Sequence, residues 1–180
     1  KPVRFRFDGR EYAGYKGDTL ASALLANDVK LVGRSFKYHR PRGILGVGPE
    51  EPNALVQAGN GARSTPNMRA TEIRLYEGLV AKAVNCWPSV RFDIGGVNNL
   101  LARFLAAGFY YKTFMWPSWH LYEGAIRRAA GLGRVATLPD PDRYEFRFAH
   151  CDVLVVGSGA AGLSAARAAA TEGARVMVIE

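Results

Sequence analysis

Cysteine is nearly missing from this chain: Cys86 and Cys151 are the only two among 180 residues, and neither sits in a CxxC pair. Zinc ribbons and iron–sulfur clusters gather their thiolates at short spacings, so both are unsupported. Two lone thiols suit a reducing cytoplasm, and no disulfide is expected. Histidine is as sparse. His39, His120 and His150 are scattered, so no metal ligand set and no nucleophile, base and orienter constellation emerges. Long apolar runs are also lacking. The most apolar stretch, residues 100–119, is interrupted by Arg103, Gly108, Lys112 and Pro117 and makes a poor membrane span. The first residues, KPVRFR, alternate instead of forming the apolar block of a secretory signal. Acidic residues are in the minority, 16 against 24 basic ones, for a net charge of +8. The positive charge is thickest at Lys30, Arg34, Lys37, Arg40 and Arg42. No nucleic-acid motif accompanies it, so nucleic acid is discounted as a partner. A field of this sign attracts anionic ligands or acidic subunit surfaces equally well, and the basic loop 34–42 is a candidate contact for a flavin phosphate or a partner subunit.

What is present is concentrated at the end of the chain. Residues 151–156 form an apolar strand pattern, Gly157-Ser158-Gly159-Ala160-Ala161-Gly162 a glycine turn, and an alanine-rich stretch a helix. A second apolar run then ends at Glu180. Gly157 permits a tight turn, Gly159 lets the backbone approach a pyrophosphate, and Gly162 lets the helix pack on the strand. A helix opening at Ala160 aims unpaired N–H groups and the positive end of its dipole at phosphates. Glu180 is placed to accept hydrogen bonds from a ribose 2′-hydroxyl. The strand, the helix and the acid all stand at the expected distances, so Gly157, Ser158, Gly159, Ala160, Ala161, Gly162 and Glu180 are the candidate dinucleotide-binding residues. Ser158 reads as a phosphate contact, because GSG lacks the GxSxG spacing of a nucleophile elbow. NADP is disfavoured: the carboxylate would repel a 2′-phosphate, and Arg175 precedes the strand. Two strands cannot bury both faces of a doubly wound sheet, so the chain is expected to stop inside a domain and to be the front of a longer protein.

Earlier in the chain, residues 3–7 and 12–15 alternate around Asp8-Gly9, a hairpin signal. Asp18-Thr19 offers a cap for an amphipathic helix ending near Asn27. Residues 29–53 read as a long irregular loop and 54–58 as a short buried strand. Residues 69–76 and 79–84 read as a second hairpin around Glu77-Gly78. This order describes a β-grasp, ferredoxin-like domain over residues 1–85 with the cluster lost, because the loop after the helix holds no cysteine. A helical and aromatic connector follows over residues 86–143, with helices expected at 95–108 and 119–130. Between them, FYYKTFMWP is read chiefly as core or interdomain packing. Residues 144–148 read as an edge strand leading into a truncated Rossmann-type domain, 144–180. The fold class is thus mixed, α+β followed by α/β.

The cysteine-free front, GRSFKYHRPRG, FYYKTFMWP, YEGAIRRAAGLG and DVLVVGSGAAGLSAA together resemble the N-terminal part of the alpha subunits of heterotetrameric sarcosine oxidases. The resemblance implies a cytoplasmic oxidoreductase that demethylates sarcosine to glycine. Hydride would pass to FAD in a beta subunit and electrons to an FMN between alpha and beta, with hydrogen peroxide as product. The one-carbon unit would leave as formaldehyde or, on tetrahydrofolate, as 5,10-methylenetetrahydrofolate. Gamma and delta subunits would complete the complex. The alpha subunit would bind NAD at the glycine motif, and none of these 180 residues would be catalytic in the amine oxidation. Two other readings stay open: an FAD-binding subunit of a related amino-acid or opine dehydrogenase, and a non-catalytic assembly subunit.

Overall fold

A computed structural model describes residues 1–104, 108 and 113–180. The chain divides into two units, Lys1–Pro141 and Asp142–Glu180.

The first unit is built on a five-stranded sheet. Strand β1 (Pro2–Phe7) pairs antiparallel with β2 (Arg10–Tyr15), with Phe5 opposite Tyr12. The turn places both Asp8 (φ 51°) and Gly9 (φ 80°) at positive φ, the geometry whose twist matches a two-residue hairpin. Helix α1 (Leu20–Ala26) follows, opened by a reciprocal cap. The Thr19 hydroxyl accepts from the Ser22 amide (3.1 Å) and the Ser22 hydroxyl from the Thr19 amide (3.0 Å). Two short strands, β3 (Gly33–Arg34) and β4 (Pro41–Arg42), pair within the segment expected to be irregular. Strands β5 (Leu55–Ala58), β6 (Thr65–Arg69) and β7 (Leu79–Ala83) complete the order β2-β1-β7-β5-β6. Alternation turns Val3, Phe5 and Phe7 inward, where they meet Leu20, Ala23 and Leu24 of α1 together with Val56, Leu79 and Ala81.

The expected second hairpin is corrected. Residues 79–83 are a strand, but β7 lies between β1 (parallel) and β5 (antiparallel) instead of pairing with 69–76. The latter segment serves α1. The first amides of the helix have no partner within it, and here Leu20 N–H donates to Ile73 O (2.8 Å) and Ala21 N–H to Ala70 O (2.9 Å). Buried Ile73 and Leu75 therefore cover the helix, and their segment makes an isolated bridge, Arg74 with Thr19, instead of joining the sheet. The true partner of β5 is β6, which the sequence disguises with Pro66 and with Asn67 at φ 55°, both tolerable on an edge strand.

In the connector, residues 94–99 form a 3-10 helix (Ile94–Asn99) followed by turns up to residue 104, short of the α-helix expected over 95–108. Gly95 and Gly96 lie inside it, and glycine disfavours a regular helix interior. Residues 105–107 and 109–112, including part of the aromatic stretch, lie outside the described residues. Helix α2 (Trp119–Ala129) forms where expected. The Tyr122 hydroxyl donates to Trp116 O (3.0 Å), and the Tyr122 ring lies 5.2 Å from Phe114.

In the second unit, β8 (Val153–Val156), α3 (Ala160–Thr171) and β9 (Val176–Ile179) form a parallel βαβ unit with Val153 opposite Val176. The edge strand expected at 144–148 does not form. Phe146 and Phe148 are almost fully exposed, and the segment finds no ladder partner among the described residues.

Candidate nucleotide-binding site

The candidate site residues all lie on the βαβ unit, the glycine turn and helix start after the carboxyl end of β8 and Glu180 after that of β9. Gly157 has φ +97°, which a side chain would strain, and its amide donates to Ile179 O (2.7 Å), tying the turn to the end of β9. Gly159 caps α3 in extended backbone, and the space where a side chain would begin is open. Gly162 is different. A Cβ there would stand 2.0 Å from Gly157 O and 3.3 Å from Val155 Cγ1, so only glycine lets the helix sit this close to the strand. The Leu163 amide bonds Gly159 O (2.9 Å), and helix geometry leaves the amides ahead of it without intrahelical acceptors. These amides and the dipole of a twelve-residue helix face the mouth of the turn.

Glu180 turns toward the same turn. Its carboxylate accepts from the Ser158 amide, and the Ser158 hydroxyl followed by that amide holds its pKa below the ordinary carboxylate range. An ionised acid thus stands beside open helix-terminal donors. That is the donor and acceptor pair needed by a phosphate linked to a ribose, and an adenine dinucleotide fits the residues present. Ser164 donates to Ala160 O (2.7 Å) within the helix. Asp152 accepts from the Arg175 amide (2.8 Å), fixing the two strand starts.

The basic loop is far less available than its composition implies. Arg34 donates to Val90 O through Nε (2.8 Å) and Nη2 (2.7 Å), and to Arg91 O (3.2 Å) and His39 O (3.3 Å). Arg40 donates to Asn99 Oδ1 (3.0 Å) and lies over the Tyr38 ring. These side chains hold the connector against the ferredoxin-like sheet.

Sequence reasoning missed two internal carboxyl groups, those of Asp93 and Glu51. His39, at φ 53°, meets Asp93 with 2.6 Å between Nδ1 and Oδ2, and the two side chains are only 9% and 1% exposed. Asp93 Oδ1 also accepts from the Trp87 (2.9 Å) and Gly95 (3.1 Å) amides. The pair borders a cavity of about 1010 Å³ that is also lined by Arg127, Arg128 and Arg134. The second is Glu51, 1% exposed. Its carboxylate accepts from the amides of Leu45 (2.7 Å), Gly46 (2.5 Å), Asn53 (2.7 Å) and Ala54 (3.0 Å). Burial pushes its pKa up, but the four amides outweigh that and hold it below the usual value. Neither carboxyl has a local signal: Asp93 is distant in sequence from its partner His39, and Glu51 sits in a plain loop.

The architecture defines a class: a ferredoxin-like domain, a connector and the opening unit of a flavoprotein-type dinucleotide domain. The comparisons agree. Residues 1–86 match the family model of a 2Fe-2S iron-sulfur cluster binding domain, and residues 152–180 that of an FAD binding domain. The chain is similar over 99% of its length, at 62% identity, to the sarcosine oxidase subunit alpha of Rhizobium meliloti (strain 1021), of which it spans 18%. It is 33% identical over 96% of its length to the corresponding subunit of Corynebacterium sp. (strain U-96), spanning 14% of that protein. The resemblance to sarcosine oxidase alpha subunits therefore runs through essentially every residue. A crystal structure of L-proline dehydrogenase from P. horikoshii covers 46% of this chain and 15% of that one at 26% identity, with a TM-score of 0.37, too slight a likeness to carry an argument.

The cluster named by the first family model does not fit the residues present. A 2Fe-2S cluster needs four thiolates or their histidine equivalents. Residues 1–85 contain no cysteine, and Cys86 is half-buried with its thiol pushed up to about 12, first by burial and then by Asp8 and Asp93. No grouping of metal-ligating side chains occurs among the described residues.

Proposed function

We propose that this chain is the front of a sarcosine oxidase alpha subunit, working in a complex with beta, gamma and delta subunits, and that its glycine turn binds NAD. The observation that carries the dinucleotide site is the turn itself: Gly157 at positive φ, open space beside Gly159, the Gly162 close approach, and Glu180 ionised beside Ser158. The amides at the start of α3 hold the pyrophosphate, and Glu180 exchanges its Ser158 bond for the ribose hydroxyls. Bound nucleotide and flavins supply the redox chemistry of the complex, FAD and FMN lying outside these residues. No side chain here acts on sarcosine, and transfer of the one-carbon unit to tetrahydrofolate is a task for other parts of the protein. The working compartment is the cytoplasm. None of the helices among the described residues is long and apolar enough to cross a membrane.

A second reading has a specific support: the family model matching residues 152–180 is that of FAD-binding domains. An acid on the ribose serves FAD and NAD alike, so the turn favours neither. Mass spectrometry of nucleotides released by denaturing the native complex separates the two. NAD recovered at about one per alpha subunit supports the first reading. Flavin alone, with occupancy lost when Gly159 is replaced by valine, supports the second. No nucleotide of either kind sinks both.

A further inference from the structure

The loop that follows α1 in a cluster-bearing ferredoxin-like domain turns its amides toward an anion, because N–H groups donate to the sulfurs that surround the irons. Here the loop still turns its amides inward, on to a different anion. Four amides from both ends of the segment 45–54 converge on Glu51, which is 1% exposed. An ionised carboxylate has about four lone-pair sites, so Glu51 is saturated. The neighbouring carboxylate repeats the device at the tip, where Glu50 Oε1 accepts from the Val47 (2.8 Å) and Gly48 (3.1 Å) amides. The interior is filled as well as neutralised: a Cβ on Gly46 would stand 3.2 Å from both the amide nitrogen and the Cα of Glu51. The Thr71 hydroxyl then ties Gly48 O (2.8 Å) to the segment that covers α1.

We infer that Glu51 is a built-in structural anion that closes the loop 45–54 in place of a metal cluster, making the ferredoxin-like domain independent of iron. The loop's shape is held by a side chain of the chain itself, so the domain keeps its surface without carrying electrons. Two features argue against a vacant cluster site: the loop amides already have their acceptor, and the residues that would bind iron are absent.

The test uses the complete native complex, with metal content measured by plasma mass spectrometry and amide hydrogen exchange followed on the peptide covering residues 45–54. The account expects no iron assignable to this domain, and strong protection of the Leu45, Gly46, Asn53 and Ala54 amides that survives treatment with chelator and reductant. Glu51→Gln keeps the shape but removes the charge and turns two donors on amides that also donate, so exchange in this peptide should rise by about tenfold or more. Glu50→Gln, at the exposed tip, should leave those four amides protected. Stoichiometric iron whose removal abolishes the protection would overturn the inference, as would an unchanged exchange rate in the Glu51 variant. Should Glu51→Gln not assemble, the chelator measurement on unmodified protein still decides: protection lost with iron contradicts it, and protection retained without iron supports it.

Discussion

Two loops in this chain gather backbone amides, and they differ in where the anion comes from. The loop 45–54 closes on Glu51, a residue of its own, and four amides are satisfied in the interior. The turn 157–162 opens at a helix N-terminus and meets Glu180 at Ser158, through its hydroxyl and amide, leaving the donors ahead of Leu163 facing outward. The same chemistry yields structure in one place and, on the reading proposed above, a ligand site in the other. The difference is set by glycine and burial. Gly157, Gly159 and Gly162 keep side chains out of the turn, whereas the chain folds Glu51 directly into its loop.

Substitutions sharpen this contrast in descending order of effect. Glu51→Ala leaves four amides without an acceptor. Unsatisfied buried donors cost about 1–3 kcal/mol each, so even with water reaching some of them the loss should be about 4 kcal/mol, read by denaturant unfolding. Gly162→Val forces α3 off β8 and should weaken nucleotide binding by about a hundredfold, near 3 kcal/mol by the affinity scale, while leaving the loop 45–54 protected. Thr19→Ala removes half of the α1 cap, should cost about 1 kcal/mol of stability, and should leave nucleotide content unchanged. If any one substitution disturbs both loops alike, the two are not independent.

The smallest effect concerns pH. Both Glu51 and Glu180 are held below the ordinary carboxylate value of 4.5. A depressed carboxyl stabilises the folded state above its unfolded value, and that contribution is lost as pH falls through the folded value. Stability should therefore be flat near neutrality and fall below about pH 4.5, and the Glu51→Gln variant should show a shallower acid limb. An acid limb of equal slope in both proteins would remove Glu51 from the account.

Much of this was legible because it is local. Asp8-Gly9 announced its hairpin, Thr19 its helix, and the glycine spacing its βαβ unit, each within a few residues. What stayed hidden was long-range. Strand β7 inserts between β1 and β5 because its alternating residues fit that gap, and residues 69–76 were free to read as its partner only while the needs of the α1 amides were unseen. Edge strand β6 carries a proline and a positive-φ asparagine that reads as a turn. The aromatic alternation at 144–148 has the period of a strand but joins no ladder among the described residues. In the candidate site, the meeting of the glycine turn with Glu180 could be read from spacing. The commitment of Arg34 to carbonyls and the Glu51 hub could not, since both depend on backbone groups that sequence does not display.

The most direct measurement is the ratio of adenine dinucleotide to alpha subunit in purified complex, compared between the native protein and Gly159→Val. The account predicts about one nucleotide per alpha subunit in the first and a near-complete loss at that site in the second, with the complex still assembled. Equal nucleotide content in both would show that the turn 157–162 is not where the dinucleotide is held.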